Sequence, residues 1–275
     1  MCEVEEGVTN GAVHRISITS PYRCRSMRRP PCPRSPCTWH TWKNARVTLP
    51  EHRPLDREQM TNVKVKICCI SSLEEAQLAT AHGAYALGLV GHMPSGPGVI
   101  DDALIADIAS TVAPPTRTFL LTSETSAEAV IAHQRRVRTT TVQIVDALEE
   151  RQYDLLRREL PDVELVQVIH VLDEASVREA VEVSQHVDAI LLDSGNPNLA
   201  VKELGGTGRA HDWQLSRAIR EAISVPLFLA GGLNAGNVQR AVDTVQPFGV
   251  DLCSSVRTDG RLDERKLESF FRALS

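Results

Sequence analysis

Long apolar runs are absent from this sequence: no stretch of about 18 or more consecutive hydrophobic residues occurs in its 275 positions. A membrane-spanning helix needs such a run, so we expect no membrane partner. Aromatic residues are also scarce, at 4% of the chain, and the net charge is −5. Both observations argue against general binding of nucleic acid. With 42% hydrophobic and 24% charged residues, the composition is that of an ordinary globular protein.

The cysteines do not form a disulfide framework. Four lie in the first 40 residues and three lie further along the chain: Cys2, Cys24, Cys32, Cys37, Cys68, Cys69 and Cys253. An odd total with an adjacent pair is a poor basis for disulfide pairing in a chain of this length. We therefore expect a reducing, cytoplasmic location.

The first 59 residues differ in composition from the rest. They carry 10 Lys and Arg against 6 Asp and Glu, a net charge of +4, so the remaining residues sum to −9. The stretch from Pro21 to Pro36 is dense in Arg, Pro and Cys and has neither helical nor strand periodicity. Such a segment buries too little apolar surface to offset its ordering entropy. We expect residues 1–59 to be a disordered basic extension, or the natural start to lie at Met60.

Two other interpretations of this extension stay open. A targeting peptide is disfavoured because the chain starts with the acidic Met-Cys-Glu-Val-Glu-Glu, and transit peptides are poor in acidic residues. A zinc site could use the side chains of Cys24, Cys32, Cys37 and His40, but their spacing matches no familiar pattern. We therefore predict no metal site.

From residue 63 onward, short apolar runs alternate with helical patterns. The runs are rich in β-branched residues and nearly continuous, as strands buried on both faces are. They cover residues 63–70, 85–90, 116–121, 141–145, 164–171, 189–192, 226–230 and 249–252. Helical patterns cover residues 71–82, 101–110, 126–134, 149–159, 174–186, 212–223, 237–245 and 264–274. This alternation predicts an α/β fold, a single-domain (β/α)8 TIM barrel over residues 60–275. An open doubly wound sheet is disfavoured because no Gly-x-Gly-x-x-Gly follows the first strand.

Small residues follow each of the last three predicted strands. Gly205-Gly206-Thr207-Gly208 follows the sixth strand, Gly231-Gly232 the seventh and Ser254-Ser255 the eighth. Glycine lets backbone N–H groups approach a phosphate closely, and the phosphate sites of TIM barrels usually lie in these late loops. One such loop alone would be read as a tight turn, but three in succession predict a phosphate site.

Further candidates lie at the C-terminal ends of strands, where the active sites of TIM barrels are built. The first strand ends at Cys68-Cys69, and alternation sends one cysteine inward and its neighbour outward. A thiol there can act as base or nucleophile, although a buried structural cysteine is commoner. Asp193 closes the sixth strand and needs a partner or a raised pKa, unless it caps a loop or helix. His170, near the end of the fifth strand, is a candidate proton carrier or ligand contact.

Together these residues resemble the phosphoribosylanthranilate isomerase family, over residues 63–274. The matching segments are Lys66-Ile67-Cys68, Leu192-Asp193-Ser194, Gly205-Gly206-Thr207-Gly208 with Asp212-Trp213, Leu229-Ala230-Gly231-Gly232-Leu233 with Asn237-Val238, and Val250-Asp251 before Cys253-Ser254. The resemblance implies an Amadori rearrangement in tryptophan biosynthesis. Asp193 would be the general acid that opens the ribose ring, and Cys68 the general base that removes the C2′ proton. Because every step is a proton transfer, no metal or organic cofactor is implied.

The predicted site combines these two catalytic residues with a larger set that contacts substrate or phosphate. That set comprises Lys66, Gln143, His170, Gly206, Thr207, Gly208, Arg209, Asp212, Gly231, Gly232, Ser254 and Ser255. We expect the partner to be a small phosphorylated sugar amine, and the protein to be a monomer or a homodimer.

The chain departs from the family pattern at four places. Cys69 stands where the family has Gly, and the loop His92–Gly98 lacks the Arg of the family's Ser-Pro-Arg. The family's Gln-Leu-His-Gly reads Gln143-Ile144-Val145-Asp146 here, and its Ser-Ser-Gly-Val-Glu reads Cys253-Ser254-Ser255-Val256-Arg257. The lost Arg faces the anthranilate carboxylate in the family, so these changes affect the aromatic half of the substrate.

The departures leave alternatives open. Arg209, His211 or Arg257 is a candidate for the replacement cation. The alternative functions are an isomerase of a different phosphoribosyl or sugar-phosphate amine, and a non-catalytic barrel that binds sugar phosphates.

Overall fold

A closed parallel barrel forms the core of the protein. The computed structural model describes residues 63–148, 150–196 and 211–275. Within these ranges the strands pair in sequence order from β1 to β8, and β8 returns to pair with β1. The strands are β1 Lys64–Ile67, β2 Ala86–Val90, β3 Arg117–Thr122, β4 Thr141–Ile144, β5 Glu164–His170, β6 Ala189–Asp193, β7 Leu227–Leu229 and β8 Gly249–Leu252. The predicted TIM barrel is confirmed. The predicted extension, residues 1–59, lies outside the described ranges.

A helix follows each strand of the barrel. The helices are α1 Leu73–Ala81, α2 Asp102–Thr111, α3 Ala127–Val137, α4 Glu150–Glu159, α5 Ala175–Val183, α6 Trp213–Ala222, α7 Val238–Val245 and α8 Glu264–Leu274. Several begin at a residue whose side-chain oxygen accepts from a backbone N–H of the first turn, as Ser72 does from Glu75 and Asp263 from Arg265 and Lys266. Such caps satisfy N–H groups that the helix itself leaves unpaired, so the short polar residue before each of these helices fixes where the helix starts.

Alternation along the strands divides the apolar side chains into two cores. On β1, Val65 and Ile67 pack outward among the helices, while Lys66 points into the barrel. The interior core is smaller and includes Phe119 and Phe228, whose rings meet edge to face with centroids 6.0 Å apart. These rings fill the centre of the barrel, so a ligand has room only towards one end.

A short hairpin follows β8 that the sequence does not predict. After a 3₁₀ turn at Ser254–Val256, β9 (Arg257–Thr258) pairs antiparallel with β10 (Arg261–Leu262). Strands of two residues are too short to produce a detectable periodicity. Tertiary contacts hold the hairpin, since the Glu75 carboxylate on α1 accepts from the Arg257 guanidinium at 3.0 Å and from the Leu262 N–H at 2.8 Å.

None of the helices in the described ranges has the length and apolar character that crossing a bilayer requires.

Candidate active site

A cavity opens where the barrel strands end at their carboxyl side. Among the described residues it is lined by Cys68, Cys69, Val90, Met93, Ser95, Pro97, Leu121, Gln143, Val168, Asp193, Ala230, Gly231, Gly232, Leu233, Asp251, Leu252, Cys253, Ser254 and Ser255. The structure thus brings together seven of the predicted site residues: Cys68, Gln143, Asp193, Gly231, Gly232, Ser254 and Ser255. They come from five different strands or the loops that follow them, so only closure of the barrel makes them neighbours.

The Cys68 thiol lies in a narrow space between β1 and β2. Cys68 follows Lys66 on the inward face of β1 and is buried. Gly88 on β2 leaves room for both side chains, because a Cβ atom there would lie 2.9 Å from Cys68 Sγ and 3.1 Å from Lys66 Nζ. Gly88 is therefore a site residue that the sequence does not reveal, since its importance depends on what the neighbouring strand places against it.

A buried ion pair lies beneath the cavity. Lys66 and Asp251 are register partners on β1 and β8, and Lys66 Nζ donates to Asp251 Oδ2 at 2.9 Å. Burial, the largest single effect, lowers the pKa of Lys66, but the charge and hydrogen bond of Asp251 and the neighbouring Cys68 and Cys69 together outweigh burial and hold the pKa above its ordinary value. The second oxygen of Asp251, Oδ1, is buried with no hydrogen-bond partner among the described residues. Lys66 therefore supports the site from below, while Asp251 presents an unused acceptor at the cavity wall.

Asp193 has the environment of a proton donor. It ends β6, lines the cavity and is buried, and its Oδ1 accepts from the backbone N–H of Ser194 at 2.7 Å. Burial raises the pKa of Asp193 to about 6 from its ordinary 3.8, and the negative charge of Asp251 adds to the effect. A carboxyl with such a pKa keeps a substantial protonated fraction close to neutral pH, as a general acid requires.

Both members of the cysteine pair face the cavity, so the expectation that only one points inward is wrong. Cys69 has a left-handed backbone conformation, with φ of 62°. This conformation ends the strand and breaks its alternation, so the Cys69 side chain turns back among the interior residues. There its Sγ lies 2.8 Å from Cys253 Sγ, at the end of β8.

The Gly231-Gly232 loop is shaped by its backbone and braced from behind. Both glycines have positive φ, 84° and 64°, which other residues adopt only with strain. The side-chain amides of Asn237 and Asn234 donate to the Gly232 carbonyl at 3.0 and 3.3 Å. Since the carbonyl is held on that side, the loop presents a fixed backbone to the cavity.

Two further predicted residues have buried polar atoms with unmet hydrogen-bonding capacity. Gln143 Oε1 and Ser255 Oγ have no partner among the described residues, and both residues line the cavity. Buried polar atoms are normally paired, so unpaired ones at a cavity wall indicate a place where a ligand supplies the partner.

Other predicted site residues are not brought to the cavity. The His170 ring is close to the Val145 carbonyl, with Nε2 3.2 Å from its oxygen, and burial lowers the pKa of this histidine. Asp212 caps α6 by accepting from the Gln214 N–H at 2.8 Å. Neither residue lines the cavity. Gly206, Thr207, Gly208 and Arg209 lie outside the described residues.

Two of the three candidates for a replacement cation, Arg257 and His211, do not serve the cavity, and the third, Arg209, lies outside the described residues. The Arg257 guanidinium donates to the Glu75 carboxylate and to the backbone carbonyls of Cys68 and Cys69, at 3.2 and 2.5 Å for the carbonyls. Burial lowers the pKa of His211 to about 4, so its ring is uncharged near neutral pH. Among the described residues, the cavity lining contains no Lys or Arg. Neither Arg257 nor His211 therefore takes over the role of the lost arginine.

The fold and the cavity together define the class of protein. It is a TIM barrel in which a carboxyl with a raised pKa and a thiol face one cavity at the C-terminal ends of the strands, the arrangement of an acid–base enzyme.

Comparison with known proteins narrows this class to a family. The model of the family described as N-(5'phosphoribosyl)anthranilate (PRA) isomerase matches residues 65–273. The N-(5'-phosphoribosyl)anthranilate isomerase 2 of Methanosarcina mazei is 32% identical over 210 residues, covering 76% of this chain and 92% of that protein. The crystal structure of phosphoribosyl anthranilate isomerase from Thermotoga maritima is 29% identical with a TM-score of 0.65, covering 77% of this chain and 98% of that one.

A further solved structure carries a ligand. It is a phosphoribosyl anthranilate isomerase in complex with reduced 1-(o-carboxyphenylamino)-1-deoxyribulose 5-phosphate. Its sequence is 27% identical, and the superposition, with a TM-score of 0.62, covers 77% of the present chain and 98% of that isomerase. The chain belongs to the N-(5'-phosphoribosyl)anthranilate isomerase family, which confirms the resemblance inferred from its motifs.

Proposed function

We propose that this protein isomerises N-(5'-phosphoribosyl)anthranilate to 1-(o-carboxyphenylamino)-1-deoxyribulose 5-phosphate, a step of tryptophan biosynthesis. One observation carries the proposal: Asp193, with its raised pKa, and Cys68 line the same cavity from β6 and β1. The relatives named as isomerases of this substrate, and the solved relative that binds a reduced analogue of the product, support it.

The first step assigned to this chain is protonation of the ribose ring oxygen. Asp193 is the donor, because burial keeps its carboxyl protonated to a higher pH than an exposed aspartate. Protonation makes the ring oxygen a leaving group, and the C1′–O bond breaks as the amine nitrogen forms an iminium. The ionised Asp193 that results lies near Lys66, whose charge favours the carboxylate.

The second step is removal of the C2′ proton by Cys68. Loss of this proton turns the iminium into an enolamine, which tautomerises to the ketone. A thiolate is the form that accepts the proton, and the Lys66 side chain shares the space beside Gly88 with the Cys68 thiol. Gly88 keeps that space open. Acid–base groups of this kind are typically worth about 10² to 10⁴ in rate.

The phosphate of the substrate is assigned to the Gly231-Gly232 loop and to Ser254 and Ser255. The two glycines have positive φ values, and they have no side chains to cover the backbone N–H groups of the loop. Ser255 Oγ has no partner among the described residues. Backbone amides in such turns are suited to bind an anion. Gly206, Thr207 and Gly208 are proposed to contribute from the loop after β6.

A second candidate function is the isomerisation of a different phosphoribosyl or sugar-phosphate amine. The observation that favours it is the cavity lining, which in the described part of the chain offers no Lys or Arg to an anthranilate carboxylate. A buried carboxylate without a cationic partner forgoes hydrogen bonds worth about 1.5–3 kcal/mol. The phosphate and proton-transfer assignments are the same for both candidates.

Turnover by the purified full-length chain separates these functions. We expect conversion of N-(5'-phosphoribosyl)anthranilate, rescue of a tryptophan auxotroph that lacks this step, and loss of both with Cys68→Ala or Asp193→Asn. Faster turnover of an aniline or alkylamine analogue without the carboxylate would favour the second candidate. Folded protein with no turnover of either substrate would contradict both and favour the non-catalytic barrel.

The location and assembly remain predictions. A role in amino-acid biosynthesis, together with the cysteine usage, supports the cytoplasmic location expected from the sequence. The protein is predicted to be a monomer or a homodimer.

A further inference from the structure

Two cysteines outside the proposed mechanism meet at the mouth of the cavity. Cys69 follows the end of β1 and Cys253 follows the end of β8, and these strands are paired in the barrel. The register places Ile67 opposite Leu252. Cys253 is therefore one residue past the end of this pairing on β8, and Cys69 is two residues past it on β1. Their Sγ atoms lie 2.8 Å apart. A disulfide requires about 2.05 Å, so a shift of less than about 1 Å would join them.

The backbone of Cys69 directs its thiol to this place. A φ of 62° is strained for a residue other than glycine. The cysteine side chain is also enclosed, because a Cβ atom on Gly98 would lie 2.5 Å from Cys69 Cβ, and Cys69 Sγ lies 3.6 Å from the Pro97 carbonyl oxygen. A strained conformation that turns a reactive side chain towards a second one indicates a function. The loop of Pro97 and Gly98 therefore rests directly on the thiol pair.

The two thiols differ in the way that a redox pair requires. A hydrogen bond with Cys69 lowers the pKa of the Cys253 thiol, and the nearby positive charge of Arg257 adds to this effect against the opposing effect of burial. The same hydrogen bond, together with burial, raises the pKa of Cys69. Cys253 is partly exposed and Cys69 is buried. Cys253 thus has the properties of the thiol that reacts first with an oxidant. Cys69 has those of the thiol that then reacts with oxidised Cys253 to form the disulfide.

We propose that Cys69 and Cys253 are an oxidative modification site that forms a reversible disulfide at the cavity mouth. With a peroxide as oxidant, the Cys253 thiolate attacks one peroxide oxygen and breaks the O–O bond, giving a sulfenic acid and hydroxide. The Cys69 sulfur then attacks the Cys253 sulfur, the S–O bond breaks, and a second hydroxide leaves. The two thiol protons convert both hydroxides to water, so two thiols and one peroxide give one disulfide and two waters. A dithiol reductant reverses the oxidation by thiol–disulfide exchange.

The bridge would switch off the site described above, and this consequence rests on the proposed function. Closing the gap between the sulfur atoms displaces Cys69, which is bonded to Cys68 and held by Arg257 through both carbonyls. A misplacement of about 1 Å in a catalytic group can lower the rate on the order of 10²-fold. We therefore expect the oxidised protein to lose between about 10-fold and 100-fold of its turnover, and a dithiol reductant to restore it.

Peptide mapping tests the bridge without reference to turnover. The full-length protein is treated with one equivalent of hydrogen peroxide, its free thiols are alkylated, and it is digested with trypsin. Residues 67–117 carry Cys68 and Cys69, and residues 241–257 carry Cys253. We expect these two peptides to be joined after oxidation and separate after reduction. The joined species should also form in Cys68→Ser, which removes the alternative thiol. Absence of the joined peptides, or a bridge that needs Cys68, would overturn the proposal.

Two variants test the consequence for the enzyme. Cys69→Gly suits the left-handed backbone, Cys253→Ser keeps the size of the side chain, and each removes one partner of the bridge. We expect both to turn over substrate in reducing buffer and to resist one equivalent of peroxide better than the unchanged protein. Equal peroxide sensitivity in all three proteins would overturn the switch. If no protein turns over the substrate, the proposed function fails, while the mapping still decides whether the disulfide forms.

Discussion

At the residue scale, the ionisation of Asp193 sets the pH range in which this residue, the proposed general acid, can donate a proton. Burial raises its pKa to about 6, so the protonated donor dominates below that pH and is depleted above it. We expect the alkaline limb of kcat/KM to fall by about tenfold per pH unit once most Asp193 is ionised. Rate measurements across the range above pH 6 check this. A limb that is unchanged by Asp193→Glu would contradict the assignment.

The same raised pKa means that Asp193 lowers the stability of the folded protein above about pH 6. Because its folded-state pKa lies above the ordinary 3.8, the proton binds more tightly to the folded protein. The stabilisation from that proton is complete below about pH 3.8 and is lost as the pH rises through about 6. Asp193→Asn, which cannot ionise, should therefore be inactive yet more stable than the unchanged protein at about pH 7.5, by up to a few kcal/mol, since one pKa unit is about 1.4 kcal/mol.

Urea unfolding at two pH values measures this difference. The gain from Asp193→Asn should shrink towards about pH 4, where both proteins are neutral at this position. Asp212→Asn is the matched control, since asparagine caps a helix as well as aspartate does and Asp212 lies outside the cavity lining. This control should leave both stability and turnover nearly unchanged. A gain for Asp193→Asn that does not depend on pH would show that another effect is responsible.

At the scale of the element, strand β2 leaves room for the proposed catalytic base, Cys68, because Gly88 has no side chain. Gly88→Ala would place a Cβ atom 2.9 Å from Cys68 Sγ and 3.1 Å from Lys66 Nζ. Overpacking of this kind typically costs about 1–3 kcal/mol. We expect a fall in kcat of up to about 10²-fold as Cys68 is displaced.

Gly249→Ala on β8 is the control for this prediction. A Cβ atom there would lie 2.7 Å from the Phe228 ring of the interior core, and neither Gly249 nor Phe228 lines the cavity. It should lower the free energy of unfolding by a similar amount and leave kcat close to that of the unchanged protein. Equal losses of kcat in both variants would indicate that Gly88 matters only for packing.

Elements also show where sequence patterns stop being informative. The capping residues and the apolar runs place every barrel strand and helix to within a few residues, because both signals are local. The hairpin of β9 and β10 has no such signal, since Arg257 and Leu262 are held there by Glu75, a distant residue on α1. The prediction that only one of Cys68 and Cys69 points inward was wrong for a related reason: strand alternation does not signal the positive φ of Cys69.

At the scale of the whole molecule, the Lys66–Asp251 pair joins the first and last strands of the barrel. Asp251→Asn would leave the buried Lys66 charge without its partner, and breaking a buried pair costs about 3–5 kcal/mol. The double change Lys66→Met with Asp251→Val should recover most of this stability, because replacing both charges by apolar groups is often neutral. It should not recover turnover.

Chemical denaturation of the two variants, beside an exposed pair, checks this prediction. Arg217 and Glu221 form an i,i+4 pair on α6, 2.6 Å apart, with the Glu221 side chain 58% exposed. Because surface pairs contribute about 0–1 kcal/mol, Glu221→Ala, at the exposed partner, should change stability little. If Asp251→Asn is no more destabilising than this control, the ion pair does not hold the barrel closed.

The sequence by itself determined the alternation of strands and helices, and with it the barrel, because hydrophobic periodicity and helix caps are properties of neighbouring residues. It also placed Cys68 and Asp193 at strand ends, where the topology makes a site. Only the tertiary structure decided the ion pairs of Lys66 with Asp251 and of Arg257 with Glu75. It also decided the space that Gly88 leaves for Cys68 and the contact between the Cys69 and Cys253 thiols. Each of these joins residues far apart in the chain, and their distance, burial and charge exist only once the barrel has closed.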